Sequence, residues 1–193
     1  GGFEPGELII LGARPSIGKT ALALSMAKNI AKTGIPVQFI SLETSIRKLT
    51  KRLIISDIKR DDIFSDNLFH SHEIDTDIEK LKKLPIYIDK GYDTSINGIL
   101  NITLDSMRKK NINFVFIDYL QLVKFNNKAE NRNLELSEIT RSLKQFALRE
   151  NMIVVALSQV SRKCDGRMPM LSDLRDSGAI EQDADKVIFL NRP

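Results

Sequence analysis

The sequence predicts an α/β domain: a mainly parallel central sheet flanked by helices. Three observations carry this reading. Short apolar runs alternate along the chain with helical periodicities. Most of those runs are near-continuous in Ile, Val, Leu and Phe, as strands buried on both faces of a parallel sheet require. The first run also leads directly through a Gly-Lys turn into an Ala- and Leu-rich helix, the opening of a right-handed crossover unit.

The elements follow in order. Leu8 to Leu11 is the first strand, and Lys19 to Lys32 the first helix, stopped by Gly34 and Pro36. Val37 to Leu42 is the second strand. Ser45 to Ile58 is amphipathic, with Ile46, Leu49, Leu53 and Ile54 on one face. Ile86 to Ile88 is a short third strand, and Ser95 to Lys110 a helix. Phe114 to Ile117 is the fourth strand, Leu134 to Glu150 the next helix, and Ile153 to Leu157 the fifth strand. Val187 to Leu190 is the sixth. Two stretches resist the pattern: Lys124 to Asn133 is polar and Asn-rich, and Val160 to Gly178 is a long charged loop. Loops of that length in compact domains are usually functional or mobile. There is no internal repeat.

Composition excludes several classes. With 193 residues, 42% hydrophobic and 28% charged, the chain has the make-up of one ordinary globular domain rather than a disordered or collagenous one. No apolar run reaches the roughly 20 residues that span a bilayer, and no signal-peptide pattern opens the chain. A single cysteine, Cys164, excludes a disulfide framework, and two histidines, His70 and His72, leave little for metal chemistry. The net charge of +4 suits a polyanionic partner but equally a solvated Lys-rich surface. Both termini read as edges of a longer chain, so residues 1–193 are expected to be one domain of a larger protein.

The strongest chemical signal is Ala13-Arg14-Pro15-Ser16-Ile17-Gly18-Lys19-Thr20, which has P-loop spacing with Ala in place of the first Gly. It sits between a strand and a helix, the context the motif requires. Backbone N–H groups from Ser16 to Ala21 can cradle phosphate oxygens at the helix N-terminus. Gly18 permits close approach of the backbone, Lys19 neutralises the β- and γ-phosphates, and Thr20 offers a hydroxyl to Mg²⁺. Asp118, at the end of the apolar run Phe114 to Ile117, is the candidate metal-site acid, against the alternative that it merely caps a turn.

Hydrolysis also needs a group that orients water. The residue after the metal acid, often Glu in P-loop ATPases, is Tyr119 here. Two other carboxylates end strands, Glu43 and Asp89. Glu43 is preferred, although a helix N-terminal acid favoured by the helix dipole explains it too. Ser158 and Gln159 end the fifth strand, where a neutral amide can contact the γ-phosphate or its water. The following loop carries Arg162, Lys163, Arg167 and Arg175, with Gly178 able to let backbone approach a phosphate; an ordinary acidic surface turn is the competing reading.

Taken together, these motifs resemble the C-terminal RecA-like ATPase domain of DnaB-type replicative DNA helicases. Five segments match in order: residues 12–20, Ser41-Leu42-Glu43, Phe116-Ile117-Asp118-Tyr119-Leu120-Gln121-Leu122, Ala156-Leu157-Ser158-Gln159, and 172–185. The resemblance covers essentially the whole chain. It implies a RecA-like P-loop NTPase fold, with ATP and Mg²⁺ as nucleotide and metal. It also implies Glu43 as catalytic carboxylate together with Lys19, Asp118 and Thr20 as metal ligands, Gln159 as coupling residue, and Arg52 near the adenine. Arg175, Asp176 and Gly178 would contact single-stranded DNA; at 176 the family more often has Glu, and at Thr44 more often Met. The implied parent is a cytoplasmic, non-membrane homohexamer with a collar domain, a linker helix and an arginine finger in the neighbouring subunit, working with primase and a loader. A RecA-like recombination or repair ATPase, or a non-hydrolysing ATP-binding adaptor, is the alternative.

Overall fold

The computed structural model describes residues 2–56, 78–125, 131–161, 164, 167–174 and 178–192. Its strands are β1 (Leu8–Ala13), β2 (Val37–Ser41), β3 (Ile86–Lys90), β4 (Phe114–Asp118), β5 (Ile153–Gln159) and β6 (Lys186–Leu190). All pair in parallel in the order β3-β2-β4-β5-β1-β6. The helices are α1 (Lys19–Lys32), α2 (Ile46–Ile55), α3 (Ile96–Lys110), α4 (Arg132–Glu150) and the short α5 (Gly178–Asp183). Among the described residues, no helix is long and apolar enough to cross a membrane.

Successive residues of a strand face opposite sides of a sheet, and β1 shows the consequence. Ile9 and Leu11 pack with Ala23, Leu24 and Ala27 of α1 and Leu49 and Leu53 of α2. Leu8 and Ile10 pack on the other face with Ile96 and Ile99 of α3 and Ile139, Leu143 and Phe146 of α4. The sheet is thus sandwiched between two helical layers, which is why most of its strands read as near-continuous apolar runs. Phe39, Phe116 and Phe114 stack on the α1 side, with centroids 5.8 and 5.5 Å apart, and so join β2 to β4.

Helix boundaries follow the caps more closely than the apolar period. α4 begins at Arg132, two residues before the expected Leu134, because the Asn131 side chain accepts from the Leu134 N–H at 2.9 Å. Ser95 does the same for α3, accepting from the Gly98 N–H at 3.0 Å. The α2 helix ends at Ile55, short of the expected Ile58, and residues 57–58 lie outside the described set. Replacing Ser95 by Ala is expected to lower stability by about 1 kcal/mol, read as a shift in the urea midpoint at constant slope.

The strand order has a functional consequence. Chain progression from β1 moves one way across the sheet to β2 and β3, then returns through β4 and β5. Open α/β sheets bind ligands beyond the carboxyl ends of their strands, at the point where this order reverses. Here that point collects the exits of β1, β5, β4 and β2.

Candidate functional site

The exits of β1, β2, β4 and β5 enclose a cleft of about 720 Å³. Arg14, Pro15, Ser16, Gly18, Lys19, Thr20 and Ala21 line it from the β1–α1 turn. Glu43 and Asp118 reach it from β2 and β4, Gln159 from β5, and Lys48 and Arg52 from α2. Ala13 closes β1 and is buried; its carbonyl accepts from the Val160 N–H at 3.0 Å. The Ile17 N–H points back to the Arg14 carbonyl at 3.4 Å. These two residues shape the turn without lining the cleft.

The turn is built by backbone conformation. Ser16 has φ +66° and Gly18 φ +114°, both on the left-handed side. A Cβ on Gly18 would meet nothing within 4 Å, so the glycine is needed for its dihedral rather than for space. No side chain caps the first turn of α1, which leaves its N–H groups to whatever enters the cleft.

The two carboxylates are held side by side by main chain. The Leu42 N–H donates to the Asp118 carbonyl at 2.8 Å, tying the β2 exit to the β4 exit. Beyond it, Ser41 Oγ donates to the Thr44 carbonyl at 2.7 Å and accepts from the Thr44 N–H at 3.1 Å, closing the bend that presents Glu43. Asp89, the other strand-end acid, is taken up elsewhere: its Oδ2 accepts from Gln38 Nε2 at 2.8 Å.

Asp118 is fully buried, and burial pushes its carboxyl pKa up, against the opposing pull of the Thr20 hydroxyl and Lys19. Thr20 Oγ1 donates to Oδ2 at 2.9 Å, while Oδ1 is buried with no hydrogen-bond partner. An orphaned carboxylate oxygen beside a hydroxyl fits a divalent cation that takes its other oxygens from phosphate and water. Among the described residues no group of three or more His, Cys, Asp or Glu could hold a metal unaided, so the fit is to a metal arriving with its nucleotide. Lys19 lies 4.8 Å from the Tyr119 ring centroid, and burial lowers its pKa to about 8, partly offset by Asp118 and Glu43. Four cations, Arg14, Lys19, Lys48 and Arg52, thus face two carboxylates in one cleft, a balance suited to a polyphosphate with its metal.

Lys48 is a site residue that the motif reading misses. Its signal is present in the sequence, since it sits four residues before Arg52 and therefore on the same face of α2. Tyr119 occupies the slot where many P-loop ATPases carry Glu, yet its ring packs by Lys19. Arg162, Lys163, Arg175 and Asp176 lie outside the described residues, as do His70 and His72, and Gly178 opens α5. The loop before Arg175 is anchored: the Ser161 N–H donates to the Asp173 carbonyl at 2.7 Å, and Val160 bridges Leu174. Arg167, one of the cations of that loop, forms a two-pronged pair with Asp173, both contacts at 2.6 Å. The buried Asp173 carboxylate claims the guanidinium because its own burial demands a partner.

A parallel α/β/α sandwich carrying a P-loop with two strand-end carboxylates defines a RecA-like P-loop NTPase domain. The family described as "DnaB-like helicase C terminal domain" matches residues 1–193, and the chain belongs to it. It is 42% identical over 204 residues to a probable replicative DNA helicase of Trieres chinensis, covering 99% of this chain and 44% of that protein. It is 42% identical over 211 residues to the replicative DNA helicase DnaB of Rickettsia prowazekii, covering 99% of this chain and 43% of that one. The chain therefore spans less than half the length of these relatives. Among solved structures, one described as an ATPase domain superposes with TM-score 0.89 at 37% identity, covering 99% of this chain and 71% of that one. A second, described as a DnaB-like replicative helicase and its interactions with primase, gives 0.87 at 37%, covering 99% and 48%. Membership of this family implies nucleotide binding, and does not favour the recombinase or adaptor alternatives.

Proposed function

We propose that this domain binds ATP with Mg²⁺ in the cleft and hydrolyses it to move a longer parent protein along single-stranded DNA, unwinding duplex at the replication fork. The observation that carries the proposal is the convergence of Glu43, the Thr20–Asp118 pair and Gln159 on the phosphate turn in a chain of this family. The N–H groups of Ser16 and of Gly18 to Ala21, with the Lys19 ammonium, take the phosphates. Thr20 and Asp118 hold the metal, which when bound would neutralise charge on the β- and γ-phosphate oxygens. Glu43 orients the attacking water and takes its proton; Gln159 senses the γ-phosphate. Arg52 sits beside the base, and Lys48 adds a further cation on the same helix face. An arginine finger from a neighbouring copy would complete the site, placing the nucleotide between subunits of a hexamer. Primase and a loader are the expected protein partners.

Arg175, Asp176 and Gly178 are the proposed DNA contacts. Their support is continuity. Leu174, the residue before them, packs so close to Gly12 at the exit of β1 that a Cβ there would meet it at 3.0 Å. Movement of the phosphate turn therefore reaches the base of that segment directly.

The test uses the full-length parent. ATP turnover should rise severalfold when single-stranded DNA is added; no rise would overturn the motor reading. Arg175→Ala should weaken DNA binding and make the plot of log affinity against log salt shallower by about 0.7. An unchanged slope removes Arg175 from the DNA contacts.

A further inference from the structure

The β4–β5 ladder ends early. Its last pair is Ile117 with Ala156, whereas β5 continues to Gln159. On its other side β5 stays paired with β1 as far as Ala13 opposite Gln159. The final residues of β5, buried Ser158 and cleft-lining Gln159, thus lack a neighbouring strand on the β4 side. After Asp118 the chain leaves the sheet and enters a single 3₁₀ turn, Leu120–Leu122.

The side chain of Gln121 fills the gap. Its Nε2 donates to Ser158 Oγ at 2.9 Å, and its Oε1 accepts from the Gln159 N–H at 3.2 Å. A carboxamide carries the same donor and acceptor as a peptide group, so Gln121 replaces the missing strand over these two residues. The amide orientation is settled by chemistry, because the Gln159 N–H can only donate. The Gln121 carbonyl is held in turn: Arg132 Nη2 donates to it at 2.9 Å and to the Val123 carbonyl at 3.2 Å. Arg132 pairs with Glu135 at 2.5 Å, and Glu135 accepts from the Phe125 N–H at 2.9 Å. One polar chain therefore runs from the backbone of Gln159 to the first turn of α4.

We propose that Gln121 is a positioning residue for ATP turnover: it holds the tip of β5 in register with the β4 exit, so that Gln159 and Asp118 address one nucleotide from fixed places. The Arg132–Glu135 pair makes this hold rigid by pinning the 3₁₀ turn onto α4. The inference rests on the proposed reading of Gln159 as the γ-phosphate contact. Gln121 itself touches neither nucleotide nor metal. Its effect should fall on the rate of the chemical step and leave nucleotide binding, which depends on the β1–α1 turn, nearly untouched.

The experiment compares variants of the full-length protein in single-stranded-DNA-stimulated ATP hydrolysis. Gln121→Met, close in shape but without the amide, should lower kcat about tenfold and leave KM for ATP within about twofold. Gln121→Glu keeps an acceptor for the Gln159 N–H and can accept from the Ser158 hydroxyl, so it should recover kcat to within about threefold of wild type. Gln159→Ala should lower kcat at least as far as Gln121→Met, and adding Gln121→Met to it should cost nothing more. Wild-type kcat in Gln121→Met overturns the proposal, as does a rise in KM matching the fall in kcat. Wild-type turnover in Gln159→Ala overturns instead the reading of Gln159 on which the proposal stands. Should Gln121→Met fail to fold, Ser158→Ala, which removes only the hydroxyl, carries the test: a severalfold lower kcat at unchanged KM supports the proposal, and wild-type kcat overturns it.

Discussion

Replacing Glu43 by Gln is expected to lower ATP turnover by about 10³-fold while nucleotide affinity stays within about threefold of wild type. The side chain projects from a bend closed by Ser41 and tied to Asp118 through the Leu42 N–H. It is exposed to the cleft rather than paired within the fold. The amide keeps the shape and can still hydrogen-bond water but takes no proton, so the loss falls on the chemical step. The substitution also removes a negative charge that raises the pKa of Asp118 and of Lys19. Asp118 should therefore ionise more readily and Lys19 lose its proton at lower pH. Steady-state turnover and equilibrium binding of a fluorescent ATP analogue in the full-length protein separate the two effects. Asp89→Asn is the matched comparison: its carboxylate serves Gln38 within the sheet, so turnover should remain at wild-type level. Near-normal turnover in Glu43→Gln, or loss in Asp89→Asn instead, would remove Glu43 from the role of base.

That comparison marks where the sequence stops being informative. The β1–turn–α1 unit is readable because the phosphate motif prescribes a backbone, and the structure supplies it with positive φ at Ser16 and Gly18. The inner strands β1, β2, β4 and β5 are readable because burial on both faces leaves almost only apolar residues between their ends, Gln38 excepted, and the half-buried β3 and β6 because they too are short apolar runs. Choosing between Glu43 and Asp89 is harder. Both end apolar runs, and what separates them is a single hydrogen bond from Gln38, a residue remote in sequence and buried where a polar side chain is not expected. Arg167 is a local counterpart: the loop sequence alone does not show that its guanidinium is taken by Asp173, six residues on. Gln121 gives no signal of its role, because that role exists only where two strand exits diverge. Contacts between elements distant in sequence are invisible to periodicity, and those contacts sort the polar residues at this site into ligands, braces and bystanders.

Lys19→Met should reduce turnover by about 10²–10³-fold, the cost of removing one preorganised charge from a phosphoryl-transfer site, and should also raise the Kd for ATP. The same ammonium predicts a pH dependence. In the folded domain Lys19 has a pKa of about 8, below its ordinary 10.5, because burial disfavours the charged form. Between these values the unfolded chain holds a proton that the folded domain has shed, so the wild-type fold gains stability as pH rises from about 8 towards 10.5. Below pH 8 the buried charge is a standing cost to the free domain. Bound phosphates reverse this by favouring the ammonium, so ATP binding above about pH 8 must take up a proton and weakens as pH rises. The expected slope approaches about one decade of Kd per pH unit, since a single proton is linked. Titration calorimetry at about pH 8.5–9.5 in buffers of different ionisation enthalpy reads the proton directly. Lys19→Met should show no such uptake, and its unfolding midpoint should lose the rise between about pH 8 and 10. A wild-type Kd that is flat across this range would mean that the ammonium is not what receives the phosphates.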